Sequence, residues 1–157
     1  MYIHFGSAVF DRKRFTTVQN RKSRPKPLGG FWASPVTSKG SSWADFCRHE
    51  DYPCDLRKSF RFELPLTARV LHIDNMRTLR KLPKSAPDEY DIVYLDYERL
   101  AKEYDAVEFH VNKNEALRYA LYGIEADSVL ILNPDVMGRA AVYSEGRTGG
   151  LSLSNFC

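Results

Sequence analysis

Short apolar runs separated by polar punctuation dominate this chain, and their periods predict more strands than helices. Tyr2-Ile3-His4-Phe5 is an apolar run suited to a buried strand. Phe31-Trp32-Ala33 is a second short strand, which Pro35 is expected to stop. Ser41 or Ser42 is placed to cap a helix carrying Trp43, Phe46 and Cys47 on neighbouring turns. Phe60 to Leu64 alternates and reads as a half-buried strand, and Arg69 to Ile73 as another. Asp74 or Asn75 then caps a helix with Met76, Leu79 and Leu82 at three-residue spacing. A break from Pro83 to Pro87 precedes a helix over Tyr94–Glu103 with Leu95 and Leu100 inward.

In the last third, Val107, Phe109 and Val111 alternate with Glu108 and His110, so residues 106–111 predict a strand with one polar face. Glu115 to Tyr122 predicts a helix with Ala116, Leu117, Ala120 and Leu121 on one stripe, ended by Gly123. Ser128 to Leu132 is a fully apolar strand stopped by Asn133-Pro134. Strands outnumber helices without regular alternation, which predicts an α+β fold rather than a doubly wound sheet. Residues 1–137 are expected to form a single domain. Residues 138–157, rich in Gly and Ser, are expected to be a weakly ordered tail or an edge element.

With 157 residues, 43% apolar and 13% aromatic, the chain can bury a core. No apolar run approaches the roughly 18 residues of a membrane span, so no membrane association is expected. Met1 to Phe5 lacks the basic segment and apolar run of a secretion signal. Three cysteines, Cys47, Cys54 and Cys157, make a poor disulfide framework and predict a reducing, cytoplasmic compartment. Cys47, His49 and Cys54 match no zinc spacing, and no metal is expected. The net charge of +3 is unevenly spread: residues 1–60 hold 11 Lys/Arg against 5 Asp/Glu, and residues 61–157 hold 12 against 15. The excess between Arg12 and Lys26 suits either the phosphates of a nucleotide or nucleic acid, or a solvated basic loop.

Three segments carry candidate chemistry. In His4-Phe5-Gly6-Ser7 a ring nitrogen, a close backbone approach and a hydroxyl follow a strand, a set suited to a ribose and a neighbouring phosphate. In Gly29-Gly30-Phe31-Trp32-Ala33-Ser34, paired glycines permit close backbone approach and the aromatics offer a flat face to a planar cation. The third segment pairs Tyr104-Asp105-Ala106-Val107-Glu108 with Asp127 through Met137, where a carboxylate opens an apolar strand. Such an acid can accept a sugar hydroxyl and stabilise nearby positive charge, or can serve as a turn residue.

In this order the three segments resemble the ADP-ribosyltransferase superfamily, in particular the branch of the poly-ADP-ribose polymerases and small toxin-like enzymes. His4-Phe5-Gly6-Ser7 is similar to that branch's opening His-Gly-Ser or His-x-x-Ser/Thr, and Gly30-Phe31-Trp32-Ala33 followed by serines and Trp43 to its Gly-x-Tyr-Phe-Ala with a following loop of serines and an aromatic. Arg69 to Asp74 looks like its central strand, and Tyr104-Asp105-Ala106-Val107 and Asp127 to Met137 like its late elements. The resemblance implies a split pair of small β-sheets with flanking helices around an NAD⁺ cleft. It implies that His4, Gly6, Ser7, Gly30, Phe31, Trp32 and Ser34 bind NAD⁺, His4 through the adenosine ribose and Phe31 or Trp32 by stacking on nicotinamide. The late acid is read as Asp127, with Glu125 and Glu108 as alternatives. The family's stacking residue is commonly tyrosine and its acid commonly glutamate, so both positions depart from the pattern.

The activity this implies is transfer of ADP-ribose from NAD⁺ to a protein or nucleic-acid acceptor with release of nicotinamide, as in a toxin-like effector. Two alternatives stay open: an NAD⁺-using RNA 2′-phosphotransferase, with Arg12, Arg14, Arg21 and Arg24 as phosphate ligands, and a non-catalytic module that masks a partner.

Overall fold

The computed structural model describes residues 1–38, 40–90, 92–139 and 141–144, with backbone alone for residues 139 and 141–144. In chain order the strands are β1 (Tyr2–Phe5), β2 (Phe31–Thr37), β3 (Gly40–Ser41), β4 (Ser59–Glu63), β5 (Val70–Ile73), β6 (Ala106–Phe109), β7 (Ser128–Ile131) and β8 (Ala141–Ser144). The α-helices are α1 (Ser42–His49), α2 (Met76–Lys81), α3 (Tyr97–Glu103) and α4 (Glu115–Ala120). The fold is α+β, as the spacing of apolar runs predicts. Among the described residues, no helix is long and apolar enough to cross a membrane.

Each helix begins on a side-chain cap that satisfies an otherwise orphaned amide. Ser41 accepts from Ala44, Asn75 from Thr78, Asp96 from Arg99 and Asn114 from Leu117. The third helix starts at Tyr97 rather than Tyr94, because Asp96 is the cap and Leu95 bridges to Lys84 instead. Ala116 and Ala120 of α4 are exposed and only Leu117 and Leu121 are buried, so that stripe is narrower than its sequence implies.

The strands follow the order β5-β6-β7-β2-β1-β4-β8, with β3 added to β2. Only β5 and β6 run parallel; the other pairs are antiparallel. β2 joins two groups of strands. Its residues 31–33 pair with β7, and its residues 34 and 35 pair with Ile3 and Tyr2 of β1. Pro35 therefore does not stop the strand. Val36 N–H donates to the Met1 carbonyl, so by alternation Pro35 nitrogen faces the opposite side, where β7 has already ended at the Ala33↔Val129 pair. Proline is tolerated where no ladder bond is due.

Alternation gives the sheet two apolar faces. One, with Leu71, Ile73, Val107, Phe109 and Leu130, packs under Leu79, Leu100 and Leu117 of the helices. The other gathers Ala33, Phe60, Phe62, Val129 and Ile131 with Val136 and Met137. Burying one large apolar side chain contributes about 1.5–3 kcal/mol, so Phe60 and Phe62, both fully buried, hold β4 firmly against β1. The expected polar face of β6 is present but covered within the strand: Ala106, Val107, Glu108 and Phe109 are all buried, and His110 just beyond it is partly exposed. The expected tail beyond residue 137 supplies an edge strand, β8, beside β4. Residues 145–157 lie outside the described residues.

Candidate functional site

The two groups of strands part beyond the Ile3↔Ser34 pair, and His4 stands where they separate. A carbonyl only accepts, so His4 Nδ1 carries the proton and donates to Trp32 O at 2.8 Å. Nε2 is left as the acceptor and faces the open space beside Gly6. Burial lowers the pKa of His4 below its ordinary value, more than the Trp32 bond raises it, and Arg14 lowers it further. The ring is therefore a neutral, oriented acceptor, held against Phe31 at 4.2 Å and Phe60 at 5.5 Å.

Two cavities share His4 and Phe5 in their linings. One, of about 320 Å³, is lined by Gly6, Ser7, Arg14, Gly30 and Phe31 among others. The other, of about 200 Å³, is lined by Ile3, Lys26, Trp32, Ser34, Trp43 and Ser128. All seven residues expected to meet NAD⁺ thus line one cavity or the other, although His4-Ser7 and Gly30-Ser34 lie far apart in sequence. The glycine pair makes the second segment possible. Gly29 and Gly30 both have φ of +69°, and a Cβ on Gly29 would lie 2.5 Å from Thr17 O.

The two aromatics divide between the cavities. Phe31 packs among Phe10, Phe60 and Phe62. Trp32 stacks on Phe109 at 5.9 Å, and Lys26 Nζ lies 5.6 Å from its ring centroid. Ser34 is buried and committed, its Oγ donating to Asp127 O at 3.1 Å and accepting Trp43 N–H at 3.0 Å. The Ser7 hydroxyl bonds the Val9 carbonyl.

The three candidate acids have different settings. Asp127 Oδ1 accepts the amides of Val111 at 2.7 Å and Asn112 at 2.8 Å, so it works as a turn-closing acceptor at the entrance to β7. Its carbonyl accepts from Ser34 Oγ, and Ser34 and the next residue, Ser128, line the smaller cavity. Glu125 is exposed and pairs with Lys26 at 3.0 Å, which ties it to the same cavity. Glu108 is buried 7% exposed and its carboxylate faces Tyr2, His72 and His110. It pairs across the sheet with Val129, itself opposite Ala33, and alternation puts it on the face opposite Trp32.

Sequence reasoning named Trp43 as the aromatic after the serines and Lys26 as the end of a basic segment suited to phosphates, and placed neither beside Trp32. The helical spacing of Trp43 with Phe46 and Cys47 reads as a core stripe, and Lys26 reads as part of a basic loop. Only the packing of α1 and of that loop against β2 brings them in. Of the basic segment, Arg14 reaches the larger cavity, while Arg12 pairs with Asp135. Asp105 of the late motif is a clamp: Oδ2 accepts Arg69 N–H at 2.9 Å, and Oδ1 accepts Asn133 Nδ2 at 2.9 Å and Arg69 Nη2 at 3.2 Å. Hydrogen bonds from Arg69 are the main cause that holds its pKa down at about 2. No protein-family model, no curated protein and no solved structure matches this chain.

Proposed function

We propose that this chain is an NAD⁺-dependent ADP-ribosyltransferase of a reducing compartment, acting on a protein or nucleic-acid acceptor. One observation carries the reading. Two sequence-distant segments, His4-Ser7 and Gly30-Ser34, line two neighbouring cavities that have His4 and Phe5 in common, at the parting of the strands. A dinucleotide has two lobes, and in this reading each lobe occupies one of the two cavities.

In this reading His4 Nε2 accepts an adenosine ribose hydroxyl and Arg14 meets the pyrophosphate. The nicotinamide ring lies on Trp32 beside Trp43, in place of the Lys26 ammonium. Lys26 can leave, because its pair with Glu125 has both side chains 41% exposed and such pairs are weak. Its departure frees Glu125 next to the ring. An acid there stabilises the cation that develops as the glycosidic bond breaks, an effect typically worth a few kcal/mol. Of the three acids, the geometry favours Glu125, since Asp127 Oδ1 already serves two amides and Glu108 is on the other face.

A second reading, a non-catalytic binding module, is favoured by the same commitment of the Asp127 carboxylate and the Ser34 hydroxyl to structural bonds. Incubating the protein with labelled NAD⁺ and cell lysate separates the two. Transferase activity predicts label on a protein band or on nucleic acid, lost at least tenfold in Glu125→Gln while NAD⁺ still raises the melting temperature. His4→Ala is expected to weaken NAD⁺ binding about tenfold or more, as expected for a lost ribose bond. A melting temperature unmoved by millimolar NAD⁺, since a ligand of the native state must stabilise it, leaves the binding module as the function.

A further inference from the structure

We propose that His72, Glu108 and His110 bind a divalent first-row transition-metal ion, with zinc the best fit to two imidazoles and one carboxylate. The site follows from strand geometry. Residues two apart on β6 and its extension share a face, which puts Glu108 and His110 side by side. The parallel register sets His72 of β5 opposite Glu108. His110 N–H, bonded to Ile73 O at 2.9 Å, extends that pairing past the end of β6.

The donor atoms converge. His72 Nδ1 lies 3.3 Å from Glu108 Oε2, and His110 Nε2 lies 3.7 Å from Glu108 Oε1. One donor from each residue lies within 4.8 Å of the other two. Tetrahedral Zn–N and Zn–O bonds of about 2.0–2.2 Å place neighbouring ligands about 3.3–3.6 Å apart, so side-chain rotations close the set. The two imidazoles are nearly parallel, 21° between planes at 5.9 Å, so their nitrogens reach the carboxylate side by side.

A second observation supports a cation here. The Glu108 carboxylate is almost wholly buried, and its charge faces a phenol and two imidazoles. Buried carboxylates are paired or coordinate metals. Tyr2 O–H donates to Oε2 at 2.9 Å, the kind of outer hydrogen bond that orients a ligating carboxylate. His72 and His110 are partly exposed, 57% and 39% at the side chain, which gives an ion an entry path and leaves its remaining positions to water. Two imidazoles and a carboxylate with open positions form a site that holds an ion while leaving room for a further ligand.

Titration of the whole chain with Co²⁺ and Zn²⁺ tests the assignment. The expected result is one equivalent bound, a rise in melting temperature on adding Zn²⁺, and a Co²⁺ visible spectrum without a thiolate charge-transfer band. His72→Ala, at an exposed position, is expected to keep the fold and weaken binding at least tenfold. Glu108→Gln, which keeps the Tyr2 contact shape, is expected to do the same. Absence of binding at 100-fold molar excess of Zn²⁺, an affinity unchanged in both variants, or a thiolate band showing that the ion sits on cysteine overturns the proposal.

Discussion

Replacing Asp105 by alanine removes the carboxylate that ties the start of β5 to the start of β6 and the end of β7. Its side chain is 6% exposed, and it receives the Arg69 amide, the Arg69 guanidinium and the Asn133 amide group. The backbone doubles the tie, since Asp105 N–H donates to Arg69 O and Asp105 O accepts from Leu132 and Asn133. Those backbone bonds survive the substitution, but the Arg69 amide and the Asn133 side chain lose their acceptor. Leaving buried donors unsatisfied costs about 1–3 kcal/mol, and these two are only partly buried, so a destabilisation of about 2 kcal/mol is expected at pH 7. The charge part of this can be isolated. A carboxylate held at about 2 against an ordinary 3.8 contributes on the order of 2 kcal/mol. A depressed carboxylate contributes fully above its unfolded value and loses that contribution as pH falls through its folded value. The gap between wild type and Asp105→Ala should therefore be widest above pH 4 and shrink toward pH 2. Urea unfolding followed by circular dichroism at pH 7, 4 and 2.5 measures it. A gap that stays constant over this range, or one below about 0.5 kcal/mol at pH 7, would refute the reasoning.

Three further outcomes follow from the same structure. Gly29→Ala places a Cβ 2.5 Å and 2.7 Å from the carbonyls of Thr17 and Thr16 at a φ of +69°, so it should cost more than about 2 kcal/mol. Gly138→Ala, which meets open space, should change stability by less than about 0.5 kcal/mol in the same thermal melts. For His4, a folded pKa below the ordinary 6.5 means the unfolded chain binds more protons just under that value, so stability falls on acidification below pH 6.5. The loss between pH 7 and 5 should be smaller in His4→Phe; equal losses would show that the ring is not held neutral.

The difference between what was legible in the sequence and what was not follows the range of the interactions. Local rules placed β1, β4, β5 and β7 and the caps of α1 and α2, because alternation and capping depend on neighbours within a few residues. They also flagged His4-Ser7 and Gly30-Ser34, since glycine beside strand residues is a local signal. Pro35 misled, because whether a proline breaks a strand depends on which side its neighbour strand lies, a fact about β1 and β7.

Charged groups were where sequence alone fell shortest. Glu108 reads as a half-exposed strand residue, yet a covered second face buries it beside two histidines from positions 72 and 110. Asp105 reads only as part of the Tyr104–Glu108 element that opens a strand, yet it clamps three strands. The roles of Asp127, Glu125 and Lys26 likewise came from contacts 15 to 99 residues away in sequence. The chain by itself placed most of the strands and the starts of α1 and α2, because those choices are made by backbone and nearest side chains. Only the tertiary structure decided which acid meets which cation and which faces are dry, because the partners of a charge and the cover of a sheet are supplied by segments that sequence proximity does not connect.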